Sequence, residues 1–210
     1  MGLKERGHEK IRCKETRKRR AIMFIGTEGH NKTETLYFSE YCKLQEIYSI
    51  QFTPGNYTDI DNISRCMLNT MKDMEFDSSK GDVAFCVIDL DVDYQKSQLI
   101  QSKINRLSLE GVECIISNPC FEVWFLCHFA FSTRSFIDSN EVIKQIKQYI
   151  PDYSKSTSVL PIIERNCAQA ITNAKRIEEY HKQQCRNRCC IDTNPATEVY
   201  KVVSLLIQKA

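Results

Sequence analysis

The chain has 210 residues, of which 42% are hydrophobic and 27% are charged, and its formal net charge is +2. This length and composition predict one globular domain with a sizeable core and at most a modest appendage. The sequence has no apolar run of about 18 residues, and its basic start is not followed by the longer apolar h-region of a signal peptide. We therefore expect neither a transmembrane helix nor a secretory signal.

The number and positions of the cysteines indicate the cellular compartment of the protein. The chain has 11 cysteines, an odd number. Some of them, such as Cys86 and Cys127, lie inside apolar runs, as small buried side chains do. This pattern favours a reducing cytoplasm over a disulfide-stabilised secreted fold, so we expect a cytoplasmic protein without membrane attachment.

The first 20 residues are strongly basic. Between Lys4 and Arg20 there are nine Lys or Arg residues and three Glu residues. A solvated tail is the ordinary explanation of such a charge run, but its density also suits a phosphate backbone. We therefore predict a basic N-terminal arm over residues 1–20 with these candidate nucleic-acid contacts: Arg17, Lys18, Arg19 and Arg20.

Strand and helix patterns alternate through the next 100 residues. Short apolar runs predict four buried strands, at residues 21–26, 48–54, 82–90 and 112–117. Apolar residues at helical spacing predict three helices between them, at residues 32–47, 57–74 and 95–111. This alternation predicts an α/β fold with a mostly parallel four-stranded sheet flanked by helices.

From Phe121 onward the pattern is helical. We expect a buried helix in "CFEVWFLCHFAF", a helix whose N-cap is Ser139 or Asn140, one long helix over residues 158–184 and a terminal helix in "ATEVYKVVSLLIQ". The predicted organisation is therefore an α/β core over residues 21–120 and a helical extension over residues 121–210 that packs on it.

Acidic and amide side chains follow three of the four predicted strands. They are Glu28 after the first strand, Asp89, Asp91 and Asp93 after the third, and Asn118 and Glu122 after the fourth. Ligands of open α/β sheets collect at the carboxyl ends of the strands. In an extended segment, residues two apart point to the same side, so Asp89 and Asp91 should project together.

Crowded carboxylates raise one another's pKa unless a cation neutralises them. Hard oxygen ligands favour Mg²⁺ or Mn²⁺ over zinc, and such an ion beside a phosphodiester activates water and stabilises the leaving oxygen. We therefore predict catalytic roles for Glu28, Asp89, Asp91 and Glu122. We predict a metal site formed by Glu28, Asp89, Asp91 and Asp93.

Each acid also has an ordinary explanation. An isolated D-x-D is more often a solvated loop, and Glu28 could bond the amides of the next helix. Glu122 could pair with Arg134 or a backbone donor. Their joint placement at neighbouring strand ends favours a site over coincidence.

Two histidines invite a functional interpretation. His181 precedes Cys185 and Cys189 at intervals of four residues, with Cys190 adjacent, and one more ligand could complete a zinc site. The spacing lacks the compact C-x₂-C pair of common zinc sites, so we do not predict zinc. His128 either contacts the acidic site or is a core histidine bonded to a backbone carbonyl.

Three strings, in this order along the chain, resemble the RloB-like protein family: "IGTEGHNKTETLYFSEY", "SNPCFEVWFLCHF" and "NPATEVYKVV". The resemblance runs from about residue 12 onward. That family is grouped with toprim domains, the catalytic fold of topoisomerases, primases and OLD-type nucleases. The resemblance thus implies a toprim-like sheet with a Glu after the first strand and a D-x-D after the third.

The same resemblance implies roles for individual residues. Glu28 would be the general acid/base or a metal neighbour, Asp89 and Asp91 would be metal ligands, and Asp93 a third ligand or a more distant group. Glu34 would support the metal or simply favour the helix dipole. The supporting residues that we predict are Lys32, Glu34, Asn118 and His128.

The function that these features predict is a Mg²⁺- or Mn²⁺-dependent endonuclease, with RNA, including transfer RNA, favoured over DNA. The resemblance implies an effector of bacterial phage defence or abortive infection, controlled by an ATPase encoded nearby, and it allows a homo-oligomer. The alternative is a non-catalytic toprim adaptor that binds an ATPase partner or a nucleotide. An adaptor has no chemical need for the acidic residues, which favours the enzyme.

Overall fold

A five-stranded sheet forms the centre of the molecule in the computed structural model, which describes residues 19–29 and 32–208. The strands are β1 (Ala21–Thr27), β2 (Tyr48–Phe52), β3 (Val83–Asp89), β4 (Val112–Asn118) and β5 (Ala196–Thr197). Their order across the sheet is β2-β1-β3-β4-β5. The first four strands are parallel, and β5 pairs antiparallel to β4.

The α/β fold and its four parallel strands are thus as predicted, whereas the fifth strand takes the first two residues of the predicted terminal helix, which begins only at Val199. β5 is only two residues long, which is too short for an alternating pattern to appear in the sequence.

Eight α-helices cover the sheet within the described residues. They are α1 (Lys32–Tyr41), α2 (Ile60–Asp73), α3 (Tyr94–Leu109), α4 (Val123–Cys127), α5 (Ser139–Ile146), α6 (Leu160–Ile163), α7 (Cys167–Gln183) and α8 (Val199–Leu206). No helix in this part of the chain is long and apolar enough to cross a membrane.

Side chains of β1 alternate between two hydrophobic layers, as in any strand covered on both faces. Ile22 and Phe24 pack in the layer formed with α2 and α3. Met23 and Ile25 pack in the larger layer, which α1 and the C-terminal helices α4 to α8 complete. The helical half therefore shares one core with the sheet.

Contact between α2 and β1 is close at Gly26. A Cβ on this residue would collide with the side chain of Met67 in α2 and would lie 2.9 Å from Thr53 Oγ1. Met67 is completely buried, so the absence of a side chain at position 26 allows the helix to approach the sheet.

Helix α1 ends at Tyr41, whereas the apolar pattern predicts a helix to residue 47. Leu44, which lies within the predicted helix, is 63% exposed. Hydrogen bonds of the buried Gln45 account for the early end. Its side chain donates to Leu206 O at 2.6 Å and accepts from Ile47 N at 2.8 Å, contacts that continuing the helix would break.

Two further helix predictions need correction. The single helix predicted over residues 158–184 is interrupted by a 3₁₀ turn at Glu164–Asn166. A 3₁₀ turn keeps nearly helical spacing, so the apolar pattern could not reveal it. Helix α5 is capped by Asp138, whose carboxylate accepts from Glu141 N at 2.9 Å, rather than by Ser139 or Asn140.

Candidate active site

Four buried carboxylates meet at the carboxyl edge of the sheet. Glu28 follows β1, Asp89 ends β3, Glu122 lies in the turn between β4 and α4, and Glu34 lies in the first turn of α1. Because β1, β3 and β4 are parallel neighbours, their carboxyl ends lie side by side. The exposed fractions of the four residues are only 8%, 7%, 2% and 3%, respectively.

The pKa shifts show that these groups act on one another. Burial, followed by the charges of Glu34 and Glu122, raises the pKa of Asp89 well above its usual range. Burial and the charge of Glu122 raise the pKa of Glu34 to about 8. Burial also raises the pKa of Glu28, against the opposing effect of Lys96. The site therefore favours the arrival of positive charge.

Two carboxylate oxygens in this cluster are buried without a hydrogen-bond partner in the described part of the chain, Glu28 Oε1 and Asp89 Oδ1. Buried acceptors of this kind require a donor or a cation. Hard carboxylate oxygens suit Mg²⁺ or Mn²⁺. The donor set therefore fits such an ion.

The ligand arrangement is not complete. No three His, Cys, Asp or Glu side chains among residues 19–29 and 32–208 are placed to hold one metal ion. A divalent ion would therefore require some carboxylates to turn toward one another.

Asp91 and Asp93 have surroundings that differ from those of Asp89. β3 ends at Asp89, and Asp91 and Val92 have left-handed φ values of 53° and 55°. The two-residue alternation predicted for Asp89 and Asp91 therefore does not apply, because the chain has already turned. Asp91 is exposed, and Asp93 caps α3 by accepting from Lys96 N at 3.0 Å.

Lys96, which sequence reasoning missed, joins two of the predicted acids. Its Nζ lies 2.7 Å from Glu28 Oε2 and 2.6 Å from Asp91 Oδ2, and its side chain is 21% exposed. The one sequence signal was its place in the first turn of α3, three residues after Asp93. A lysine there is usually solvated, so position alone could not identify it.

Glu122 is held by two hydroxyl groups. Tyr153 OH donates to its Oε1 at 3.0 Å, and Thr33 Oγ1 donates to the same oxygen at 3.3 Å. The alternative partner, Arg134, instead pairs with Glu141. Sequence reasoning missed Tyr153 because the loop after α5 brings it to the site from 31 residues away.

The predicted supporting residues are in different places. Asn118 Nδ2 donates to Ile191 O at 3.0 Å and Thr193 O at 2.9 Å, so it anchors the segment before β5. His128 Nδ1 bonds to Trp124 O at 3.0 Å, and burial lowers the pKa of its imidazole to about 4. This geometry matches the core-histidine interpretation. Lys32 begins α1, but its side chain lies outside the described residues.

The segment considered for zinc does not form one helix face. α7 ends at Gln183, and Cys185 has a left-handed φ of 55°. Both imidazole nitrogens of His181 are engaged, Nε2 with Pro195 O at 2.8 Å and Nδ1 with Arg186 at 3.2 Å. This histidine would have to give up a hydrogen bond to bind zinc.

Arg19 and Arg20 lie at the opposite, amino edge of the sheet. Arg19 forms an ion pair with Asp82 at 2.9 Å, and Arg20 donates to Gln45 O at 3.1 Å. These contacts fix the chain that enters β1. Arg17 and Lys18, with the rest of the predicted arm, lie outside the described residues.

Fold and site together define an α/β protein with a buried carboxylate cluster at the carboxyl edge of a mostly parallel sheet. The chain belongs to the RloB-like protein family, whose model matches residues 23–206. This range runs from β1 to the end of α8 and includes every acidic residue of the candidate site. Comparison with curated proteins and with solved structures found no match.

Proposed function

We propose that the protein is a Mg²⁺- or Mn²⁺-dependent endonuclease of toprim type that hydrolyses phosphodiester bonds in nucleic acid. The observation that carries the proposal is the cluster of buried carboxylates with two partnerless oxygens, Glu28 Oε1 and Asp89 Oδ1. Asp89, Asp91 and Glu28 would hold the ion, with Asp93 at the edge of the site. A bound divalent ion would activate water and stabilise the leaving oxygen.

The chain's own groups have separate tasks in this scheme. The raised pKa of Glu28 suits a general acid/base, since a proton can be held on its carboxylate closer to neutral pH. Tyr153 and Thr33 fix the orientation of Glu122. Burial of this edge limits the access of bulk water and strengthens the electrostatic interactions within it.

A basic groove between α2 and α3 supports nucleic acid as the substrate. The groove encloses about 300 Å³, and we call it the α2–α3 groove. Its charged lining residues are Arg65, Lys72, Lys103 and Arg106, with Asp61 and Glu110. Lys103 pairs with Asp61 at 2.7 Å, and Arg106 with Glu110 at 3.2 Å.

Two of these cations, Arg65 and Lys72, form no ion pair within residues 19–29 and 32–208. Lys96, Lys103 and Arg106 are seven and three residues apart and form a track on one stripe of α3 from the acidic edge to the groove, each of them beside a carboxylate. Phosphate backbones are bound by such tracks of Lys and Arg.

RNA, including transfer RNA, is our favoured substrate over DNA, and the defence role remains part of the proposal. The RNA substrate and the defence role are both supported by membership of the RloB-like family, because that family resembles toprim effectors that act together with an ATPase. We propose that an ATPase encoded nearby controls the activity, in a cytoplasmic complex in which the chain itself could be a homo-oligomer.

The alternative function is a non-catalytic adaptor for an ATPase or a nucleotide. A cavity of about 760 Å³ between α1, α6 and α8 favours it, because apolar residues at the cavity, such as Leu44 and Ile207, are 63% and 45% exposed. Exposed apolar surface of this kind is typical of interaction sites. An enzyme needs the acidic residues for phosphodiester cleavage, whereas an adaptor cleaves no phosphodiester bond.

Cleavage assays distinguish the two functions. Purified protein with Mg²⁺ or Mn²⁺ is incubated with labelled transfer RNA, single-stranded DNA and duplex DNA, with and without the ATPase encoded next to it. We expect cleavage of RNA that is lost in the Asp89→Asn, Asp91→Asn double variant. The exposed pair Asp152→Asn, Asp192→Asn is the control and should cleave normally. Equal cleavage by the acidic-site variant, or none by the partner-activated wild type, would favour the adaptor.

A further inference from the structure

Lys96 occupies a position that a metal ion would also favour. Its ammonium group contacts Glu28 Oε2 and Asp91 Oδ2 at 2.7 and 2.6 Å, and these contacts join the ends of β1 and β3. Glu28 and Asp91 are two of the residues proposed to bind the divalent ion. The other oxygen of Glu28 is buried without a partner in the described part of the chain.

One ammonium compensates only part of the charge at this edge. The pKa of Glu28 remains raised despite its contact with Lys96, and the pKa of Asp89 is raised further. A divalent ion carries twice the charge of Lys96 and prefers the same hard oxygens. Lysine carries its ammonium group on a flexible four-carbon stem, so this group can leave the two carboxylates without movement of α3.

We propose that Lys96 is the resident counter-ion of the acidic site and competes with the divalent ion for Glu28 and Asp91. In the absence of the ion, Lys96 holds these two carboxylates together. Binding of the ion releases the ammonium group from these two carboxylates. This inference rests on the part of the proposed function that places a divalent ion at this edge, and not on cleavage.

Mn²⁺ binding to the intact protein tests the competition. Free Mn²⁺ is measured by electron paramagnetic resonance for wild type, Lys96→Met and Asp91→Asn. Because Lys96→Met removes the competing charge, we expect it to bind Mn²⁺ about tenfold more tightly, and Asp91→Asn to bind it more weakly. Lys80→Met is the control, since this lysine also pairs with a carboxylate but does so with Asp77 in the turn before β3, away from the acidic site, and its affinity should equal that of wild type.

Thermal unfolding provides a second readout for the same variants. Lys96→Met should have a lower Tm than wild type without metal and a larger Mn²⁺-induced rise in Tm. If the Lys96→Met variant does not fold, Lys96→Gln is used in its place, because glutamine keeps a polar head group. Equal or weaker Mn²⁺ binding by both Lys96 variants, or no Mn²⁺ binding by any of the proteins, overturns the competition. Tighter binding with no cleavage of any nucleic acid leaves this inference standing and removes the endonuclease proposal.

Discussion

Glu34 and Asp89 are placed at a cost to stability. Both carboxyl groups are almost fully buried, and burial together with neighbouring acids raises the pKa of each. A hydrophobic core would not retain such groups for stability alone, because an isolated buried charge is unfavourable. The arrangement is typical of functional sites, where charge is held ready for a ligand.

Stability should therefore depend on pH through Glu34. Its pKa in the folded protein is about 8, against an ordinary value of 4.5, so the folded form binds more protons between these values. This contribution to stability is complete below about pH 4.5 and is lost as the pH rises through 8. We expect the Tm of metal-free protein to fall from pH 5 to pH 8, and to fall less in Glu34→Gln.

Differential scanning fluorimetry with a chelator present measures this slope. The exposed Glu46→Gln variant is the control and should behave as wild type does. The slope in Glu34→Gln should be reduced rather than abolished, because Asp89 responds to pH in the same direction. An unchanged slope in Glu34→Gln would mean that Glu34 does not hold a proton in the folded protein.

At the scale of elements, the edge of the sheet beyond β4 is completed by a side chain. Glu198 follows β5, and its backbone N donates to Ile116 O at 2.9 Å. Its carboxylate accepts from Ile116 N at 3.0 Å, so it takes the place of a strand carbonyl. Arg188 donates to both oxygens of the same carboxylate. The short β5 is thereby extended by a charged group.

Glu198→Ala should lower the free energy of unfolding by about 2–4 kcal/mol, because it leaves Ile116 N buried without an acceptor and Arg188 without its partner. Glu113→Ala is the matched control. Glu113 pairs with Lys201, as Glu198 does, but its side chain is 48% exposed. That variant should change stability by less than about 1 kcal/mol. Urea denaturation compares the two, and equal losses would show that the edge contact is not important.

For the whole molecule, the distribution of charge matters more than its sum. The net charge is only +2, yet the carboxyl edge is acidic and the α2–α3 groove beside it is basic. Such a juxtaposition suits a polyanion held in the groove with one phosphodiester presented to a metal site.

Charge reversal in the groove should weaken nucleic-acid binding. For the Arg65→Glu, Lys72→Glu double variant we expect a lower affinity for single-stranded RNA and a salt slope reduced by about 1.4 (roughly 0.7 for each lost phosphate contact). Lys43→Glu with Lys80→Glu reverses two exposed lysines near the amino edge and is the control. Fluorescence anisotropy at several salt concentrations measures both slopes. Equal slopes in the two double variants would exclude the groove as the binding surface.

Sequence alone predicted the features that local pattern encodes. The apolar runs of β1 to β4, the helices between them and the acids after β1, β3 and β4 all follow from spacing along the chain. Because parallel strands place their carboxyl ends at one edge, the sequence could also predict that Glu28, Asp89 and Glu122 would meet. The three strings identified the family, which the match over residues 23–206 confirms.

Only the tertiary structure decided which groups surround those acids. Lys96 reaches Glu28 across 68 residues of sequence, and Thr33 reaches Glu122 across 89. No periodicity encodes such contacts, because they depend on how helices and loops pack on the finished sheet. The early end of α1 and the pairing of β5 have the same origin. The carboxyl edge was therefore predictable as an acidic site, whereas its counter-ion, Lys96, became visible only in the fold.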